Sequence, residues 1–453
     1  METPHQIDEI APSASVAEEL RRQLRIALPA VLSFLSYQAM NVVDTMMVSP
    51  YGEEALAGSS LALLWCWAIV IAARGVQRSL DPLISQAYGA NEEGEVGRWL
   101  LRGAIGAVIL ALPVMAVLGV AEPALRALGQ PEAALPLAGR WCLVLALGMP
   151  AMLLGGVMHA FFQSLGKLRP VTIAALLGNV VNIAGNLLFM KELEMGPLGS
   201  AAATVVAEYA MLVLMVVAGR AELQYWWERR NPLEDLQGEL QAQARILHLG
   251  VPMGLQQGLE VWGFSIAGLM MGLLGQTALA AHTLVLNLAS LSFMFPLGIG
   301  MAGSARVGHL VGGGHPIGRA AWTAIGMGVV AMSFFAGLFS FFPGPVLGLF
   351  RPEAQVLAAG VLLLPIAGAF QLFDGVQGVA FGVLRGGGDV RVPVVINVLG
   401  YYLFGLPLGY ILAFVLGWGP QGIWIGLSAA LAAVAGMLLF RVRAVVRQGG
   451  LRV

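Results

Sequence analysis

The chain has 453 residues, of which 58% are apolar and only 11% are charged, whereas roughly a quarter of the residues in a soluble domain are charged. Its formal net charge is -1, and the sequence has no basic stripe, which argues against nucleic acid as a partner. This composition excludes an ordinary soluble protein and predicts an all-α membrane protein embedded in the lipid bilayer.

Windows of about 20 apolar residues predict twelve transmembrane helices. A polar tail at 1–24, unlike a signal peptide, is followed by a six-helix N-lobe at 25–219. A polar loop at 220–245 then leads into a six-helix C-lobe at 246–441 and a tail at 442–453. The predicted spans are 26–48, 55–80, 99–120, 136–160, 169–190, 198–219, 247–273, 279–304, 320–342, 357–383, 392–415 and 421–440.

The distribution of basic residues predicts the orientation of these helices. If the N-terminus is cytosolic, only four of the 25 lysines and arginines fall in outside loops, and those are Arg126, Arg140, Lys191 and Arg351. Basic residues concentrate on the cytosolic side of multi-pass proteins. We therefore expect both termini, and the loop between the lobes, to lie in the cytosol.

The two halves resemble each other. ALAGSSLAL from position 55 resembles ALAAHTLVL from position 278, and GPLG at 196 resembles GPQG at 419, so the two pairs have the same offset along the chain. Because each half has an even number of helices, the two copies keep the same orientation in the membrane. Such parallel repeats are typical of secondary transporters, in which the substrate path lies between the repeats.

The C-lobe has two carboxylates in otherwise apolar spans. Glu260 has Gln256 one turn before it on the same helix face, and Asp374 is flanked by Gln371 and Gln377 at three-residue spacing. An ionised carboxylate near the bilayer centre costs several kcal/mol. We expect the pair to bind a cation or to share a proton, and the alternative is a structural hydrogen bond to a neighbouring helix.

The N-lobe has a second constellation of oxygen-bearing side chains. Asp44 in helix one, Asn182 and Asn186 in helix five and Thr204 in helix six are predicted to lie at similar depth. Carboxylate, amide and hydroxyl oxygens suit a hard cation such as Na⁺, although asparagines also join membrane helices by hydrogen bonds. Glu208, one turn from Thr204, adds a carboxylate that could titrate with Asp44.

Other motifs give no support to an enzyme. The sequence contains no GxxxxGK[ST], HExxH or GxSxG motif, so we expect neither ATP hydrolysis, nor a metal or serine active site, nor a cofactor. Gly298, Gly300 and Gly303 match GxGxxG but lie within a predicted membrane helix, where close helix packing explains them.

Three further possibilities remain open at this stage. A lipid-linked precursor flippase would need a cationic cavity, a membrane enzyme would need a reactive group, and a channel would pass ions without exchange. Arg74 and Arg78 lie in the inner part of helix two, where they could pair with Asp81, reach the cytosolic interface or line a substrate gate.

Several stretches resemble one transporter family. NVVDTMMVSPYGEEALAGSSLA, GVPMGLQQGLE and AFQLFDGVQGVAFGVLRGGGD are similar to segments of the multidrug and toxic compound extrusion (MATE) family, in its NorM-like branch. The resemblance implies a twelve-helix antiporter that exchanges Na⁺ or H⁺ for organic cations and drugs. It also implies a bacterial inner-membrane protein, which we expect to be monomeric.

The resemblance assigns site residues in both lobes. In the C-lobe it implies that Glu260 and Asp374 bind the substrate or the coupling cation, for which Na⁺ is one candidate, with Asn287 as a polar neighbour. Phe370 stands where relatives often have tyrosine, which weakens the case for Na⁺ in that lobe. In the N-lobe the resemblance implies a cation site at Asp44, Asn182, Asn186 and Thr204, and Glu208 departs from the family pattern. With the residues that the polar helix faces add, the full predicted C-lobe set is Glu260, Asp374, Asn287, Gln256, Phe370 and Gln371, and the N-lobe set is Asp44, Asn182, Asn186, Thr204 and Glu208.

Overall fold

The computed structural model describes residues 11–453, which form helices joined by short connections and contain no β-strand. Eleven helical segments of this part of the chain are long and apolar enough to cross a membrane. The predicted class, an all-α membrane protein, is confirmed.

The helices are numbered here in chain order. They are α1 (Val16–Val48), α2 (Glu53–Gln77), α3 (Leu80–Gly89), α4 (Glu93–Gly119), α5 (Ala121–Ala127), α6 (Leu135–Ser164), α7 (Arg169–Asn186), α8 (Leu198–Ala218), α9 (Arg220–Arg229), α10 (Leu236–Leu273), α11 (Gln276–Gly312), α12 (Gly318–Phe341), α13 (Pro343–Gly348), α14 (Ala354–Gly386), α15 (Val392–Asn397), α16 (Leu406–Tyr410) and α17 (Gly419–Gln448). A 3₁₀ turn covers Ser49–Tyr51, and π-helical turns cover Leu187–Glu192, Val398–Gly405 and Ile411–Val415.

Two helices extend beyond their predicted spans. α1 begins at Val16, within the predicted tail, whose residues 1–10 lie outside the described part of the chain. α10 begins at Leu236 and includes the predicted seventh span at 247–273. It is not among the eleven apolar segments because its glutamines and Glu260 lower its mean hydropathy.

The chain divides into two compact units. Unit 1 comprises 1–31 and 255–453, and unit 2 comprises 32–254. α1 and α10 therefore each pass from one unit to the other. Each passage lies close to a proline inside the helix, Pro29 in α1 and Pro252 in α10. These two prolines occupy equivalent positions in the two copies of the internal repeat.

Glycines serve two purposes in this fold. Gly52 and Gly275, which are also equivalent in the repeat, precede α2 and α11. Their φ values are 96° and 115°, which residues other than glycine rarely adopt. In unit 1, α11 and α14 approach closely, since a Cβ on Gly382 would lie 2.1 Å from the carbonyl oxygen of Gly300. The packing role predicted for Gly300 is confirmed.

The segment predicted as a polar loop, 220–245, contains α9 and the first turns of α10, and it packs within unit 2. Trp226 is 2% exposed, and its ring lies 5.8 Å from that of Tyr88. The Arg102 guanidinium lies 2.8 Å from Glu239 and 3.3 Å from Glu234. The hydrogen bond from Arg102 holds the pKa of Glu239 below its ordinary value. Aromatic burial and ion pairs thus fix this polar segment in place.

Candidate functional site

The two C-lobe carboxylates lie close together in unit 1. The Nε2 of Gln377 donates a hydrogen bond of 2.8 Å to Oε1 of Glu260 and lies 3.2 Å from the hydroxyl oxygen of Tyr401. Asp374, one turn before Gln377 in α14, is 4% exposed, and its charge interacts with that of Glu260. Three helical segments thus place two carboxylates, an amide and a phenol in one cluster.

Aromatic rings surround this cluster. The ring of Phe264, one turn after Glu260 in α10, lies 5.9 Å from that of Phe370 and 5.8 Å from that of Tyr401. Trp424 of α17 lies 5.6 Å from Phe370. All three pairs meet edge to face, the arrangement that the charge distribution of aromatic rings favours. The carboxylates of unit 1 therefore lie beside an apolar aromatic wall.

The other predicted C-lobe residues differ in their surroundings. Gln371 is fully buried, and neither amide atom has a hydrogen-bond partner within residues 11–453. Gln256 is half-buried, and its backbone carbonyl accepts a 3.2 Å hydrogen bond from Nδ2 of Asn397. Asn287 lies in α11 with an exposed side chain. Gln371 is thus the member of this set whose polar atoms most need a further partner.

The N-lobe constellation lies in unit 2. The Nδ2 of Asn186 donates hydrogen bonds to Oδ1 of Asp44 at 2.7 Å and to Oδ1 of Asn182 at 3.1 Å. The hydroxyl oxygen of Thr204 lies 3.1 Å from Oδ2 of Asp44 and 3.0 Å from the backbone carbonyl oxygen of Ser200. Both asparagines are fully buried. The structure therefore brings together the four side chains that the sequence placed at similar depth.

Glu208 has different neighbours. It lies one turn further along α8 than Thr204, and the charge that acts on it is that of Arg74 in α2. The direct hydrogen bonds to Asp44 come instead from Asn186 and Thr204. Glu208 is thus not among the side chains whose hydrogen bonds to Asp44 the structure shows.

Sequence reasoning missed Tyr401. It lies in a π-helical turn of the eleventh predicted span and is fully buried beside Gln377. A tyrosine within an apolar span was the available signal, because a buried phenol usually needs a hydrogen-bond partner. Its position supplies a hydroxyl beside the carboxylates, where Phe370 has none.

Both clusters offer oxygen ligands rather than a transition-metal site. No group of three or more histidine, cysteine, aspartate or glutamate side chains converges in the part of the chain that the structure describes. Carboxylate, amide and hydroxyl oxygens suit hard cations, and a carboxylate can also take up a proton. Each unit therefore has groups able to exchange a small cation.

Comparison with known proteins identifies the family. The family model described as MatE matches residues 29–188 and again 252–411, and the two matches have the same offset as the paired sequence motifs. A probable multidrug resistance protein NorM of Burkholderia pseudomallei is 34% identical over 445 residues, covering 95% of this chain and 94% of that protein. A multidrug resistance protein NorM of Burkholderia vietnamiensis is 34% identical over 431 residues, covering 92% of each.

Solved structures agree in fold. The outward-facing conformation of a multidrug resistance MATE family transporter of the MOP superfamily superposes with a TM-score of 0.88 at 18% identity, covering 99% of each chain. The eukaryotic MATE transporter AtDTX14 superposes with a TM-score of 0.84 at 22% identity, covering 96% of this chain and 98% of that one. The resemblance drawn from the sequence motifs is confirmed. The chain belongs to the MatE family and is a membrane transporter, not an enzyme.

Proposed function

We propose that this protein is a multidrug efflux transporter that exports organic cations from the cytosol in exchange for Na⁺ or H⁺. The relatives named as multidrug resistance proteins support the efflux of drugs. The observation that carries the exchange mechanism is the cluster of Glu260, Asp374, Gln377 and Tyr401 beside an aromatic wall. The carboxylates attract a cation, and the rings suit the apolar body of an organic one.

Competition for the carboxylates would couple the two fluxes. Two like charges in a membrane interior need a cation or a proton to neutralise them. A cationic drug that occupies Glu260 and Asp374 displaces Na⁺ or H⁺, and a returning Na⁺ or H⁺ displaces the drug. Alternating access then requires that the cluster open to one side of the membrane at a time. We place the protein in the bacterial inner membrane with both termini in the cytosol.

The Asp44 cluster would be a second site for the coupling ion. Oδ1 of Asn186 is buried without a hydrogen-bond partner within the described chain, while Nδ2 of the same amide faces Asp44. A flip of that amide, which exchanges its oxygen and nitrogen, would present Oδ1 to a cation held by the carboxylate. In the orientation that the structure shows, the N–H group of Asn186 stabilises the charged form of Asp44. A proton would neutralise that charge. Both ions therefore remain candidates in this proposal.

The test is efflux of tetraphenylphosphonium from proteoliposomes, driven separately by a Na⁺ gradient and by a pH gradient. Wild-type protein should respond to at least one gradient, and Glu260→Gln should abolish that response. Glu132→Gln is the matched control because Glu132 is a highly exposed carboxylate outside the predicted spans. Loss of efflux in the control as well, or wild-type efflux that neither gradient affects, would contradict the proposal.

A further inference from the structure

Three buried side chains of unit 1 have polar atoms without a hydrogen-bond partner in residues 11–453. His282 of α11 is 2% exposed, and both of its ring nitrogens lack a partner. Both amide atoms of Gln371 in α14 and Nε1 of Trp424 in α17 also lack one, and these two side chains are fully buried. The three residues are named the His282 cluster. The exchange mechanism gives no role to His282 or Trp424.

Ring contacts bring the His282 cluster together and join it to the carboxylate site. The ring of Trp424 lies 5.6 Å from that of His282 and 5.6 Å from that of Phe370. Gln371 follows Phe370 in the chain and lies one turn before Asp374 on the same side of α14. The cluster therefore reaches from α11 and α17 to the carboxylates of unit 1.

The His282 cluster lies between one face of the membrane and the carboxylates. His282 is in the second turn of α11 and Trp424 is in the second turn of α17, whereas Asp374 lies past the middle of α14. The three helices start at the same membrane face, because one span of opposite direction separates α11 from α14 and another separates α14 from α17. A path from that face to Asp374 thus passes the cluster.

Buried polar atoms of native proteins almost always have a partner, and ordered water is that partner where no protein group serves. The two nitrogens of His282, the two amide atoms of Gln371 and Nε1 of Trp424 offer water both donors and acceptors. Gly268 of α10 has no side chain beside His282, and a Cβ there would lie 3.8 Å from Nε2, which leaves space next to this nitrogen. The site is therefore suited to hold water within an apolar helix bundle.

The helices around His282 contribute few other titratable groups. Within the spans of unit 1, α10 contributes Glu260, α14 contributes Asp374, and the segment between α15 and α17 contributes the tyrosines at 401, 402 and 410, whereas α12 and α17 contribute none. The arginines of α11, α12, α14 and α17 lie near the opposite membrane face, and they are Arg306, Arg319, Arg385, Arg441, Arg443 and Arg447. Glu260 and Asp374 are therefore the proton acceptors of this part of unit 1.

We propose that His282 is a proton relay between the membrane face at the start of α11 and the carboxylates Asp374 and Glu260, through water held by Gln371 and Trp424. A neutral imidazole accepts a proton from water at one nitrogen and releases another from its second nitrogen. The released proton passes through water beside Gln371 to the carboxylate of Asp374, and rotation of the ring restores the starting tautomer. This inference rests on the proposed exchange function and names H⁺ as the coupling ion at the site in unit 1.

The test measures proton release from the purified protein. In weakly buffered detergent solution at pH 7, binding of tetraphenylphosphonium should displace protons from the carboxylates, and the fluorescence of pyranine after stopped-flow mixing follows their release. His282→Gln and His282→Phe should each slow this release about tenfold or more, because each removes a group that transfers protons. The Kd of tetraphenylphosphonium should stay the same, because the relay does not contact the drug.

The two substitutions separate a relay from a structural role. Glutamine keeps a hydrogen-bond donor and an acceptor, and phenylalanine keeps a ring against Trp424, but neither can pass a proton from one ring nitrogen to the other. Trp424→Phe removes only Nε1 from the cluster and should slow proton release about threefold, in the range of one lost hydrogen bond. His315→Gln, in the connection between α11 and α12, is the matched control and should release protons at the wild-type rate.

A wild-type rate of proton release in either His282→Gln or His282→Phe would assign His282 a structural role and overturn the proposal. An equal loss of tetraphenylphosphonium affinity would also overturn it, because the cluster would then contact the drug. If the wild-type protein releases no proton on binding, the site in unit 1 does not exchange H⁺ and the inference fails. Efflux driven by a Na⁺ gradient then decides the proposed function independently.

Discussion

The two units of the chain hold their buried carboxylates in different ways. In unit 2, a single carboxylate, Asp44, receives hydrogen bonds from the amide of Asn186 and the hydroxyl of Thr204. In unit 1, Glu260 and Asp374 lie together. The amide of Gln377 and the apolar aromatic wall surround them. One site thus holds a single carboxylate among small polar groups, and the other holds two carboxylates beside an apolar aromatic wall.

The two copies of the repeat thus share a scaffold but not the chemistry of their sites. The position equivalent to Glu260 in the first copy of the repeat is Tyr37, which carries no carboxylate. The two carboxylate sites are therefore not copies of each other. The smaller set around Asp44 suits a small ion, whereas the larger set in unit 1 can also contact an organic cation.

The largest effect is expected for Asp374→Asn in unit 1. We expect a loss of about 100-fold or more in the initial rate of tetraphenylphosphonium efflux, because the bound cation loses one of two buried carboxylate partners and truncating one partner of a buried charge pair costs several kcal/mol. Efflux from proteoliposomes under a fixed ion gradient measures this rate for wild type and variant. A loss of less than threefold would mean that Glu260 alone attracts the cation.

A smaller effect is expected for Asp44→Asn. The new amide has the same shape and can still bond to Thr204, so we expect a loss of about tenfold, in the range of one hydrogen bond to a charged group. The same efflux assay measures the loss, and size-exclusion chromatography checks the fold. A loss equal to that of Asp374→Asn would show that the two sites contribute equally to transport, which would contradict the larger role expected for the carboxylates of unit 1.

Tyr401→Phe tests the role of the Tyr401 hydroxyl in unit 1. Removal of a hydroxyl that lies 3.2 Å from Nε2 of Gln377 should lower efflux about threefold, because Gln377 then holds Glu260 less firmly. Phe370→Tyr in the same background should restore part of the rate if a hydroxyl near the carboxylates is what matters. An effect of Tyr401→Phe on thermal stability without one on efflux would contradict this role.

The smallest effect is expected at the ion pair that fixes the 220–245 segment. Glu239→Gln should lower the melting temperature of the purified protein by about 2 °C at pH 7, because Arg102 keeps Glu234 as a second partner. Folding lowers the pKa of Glu239, so its stabilising effect is present above its ordinary pKa and disappears as the pH falls through the lowered value.

The difference in melting temperature between wild type and Glu239→Gln should therefore shrink in acid. Thermal denaturation of both proteins from pH 7 to pH 3 measures this difference in melting temperature. A difference that grows towards low pH would mean that Glu239 is not stabilised as a carboxylate by Arg102.

Much of the fold could be predicted because its signals are local. Apolar windows predicted the spans, and the constant offset predicted the repeat that the family matches confirm. The full length of α10, which includes the predicted seventh span, was harder to predict. Its N-terminal turns are polar and are held by contacts with Arg102 rather than by lipid. The helical start of α1 within the predicted tail escaped notice for a similar reason: Glu19 is buried against Arg306 of α11, which is distant in sequence.

The candidate sites were predictable only in part. Acids in apolar spans stand out in any sequence, and so do asparagines one turn apart, so Asp44, Asn186 and Glu260 could be singled out. The hydrogen bond between Gln377 and Tyr401 could not be predicted, because it depends on which face of one helix meets another. The roles of the site residues in transport stay predictions that the variants above test.

The amino-acid sequence alone is enough to identify an α-helical membrane protein built from two copies of one six-helix pattern. Hydropathy decides this, because every backbone polar group in lipid must be satisfied within its own helix. Which polar side chains share a site depends on the packing of the helices. Helix rotation and the close glycine contacts that fix it depend on residues far apart in the chain, and no local pattern records them.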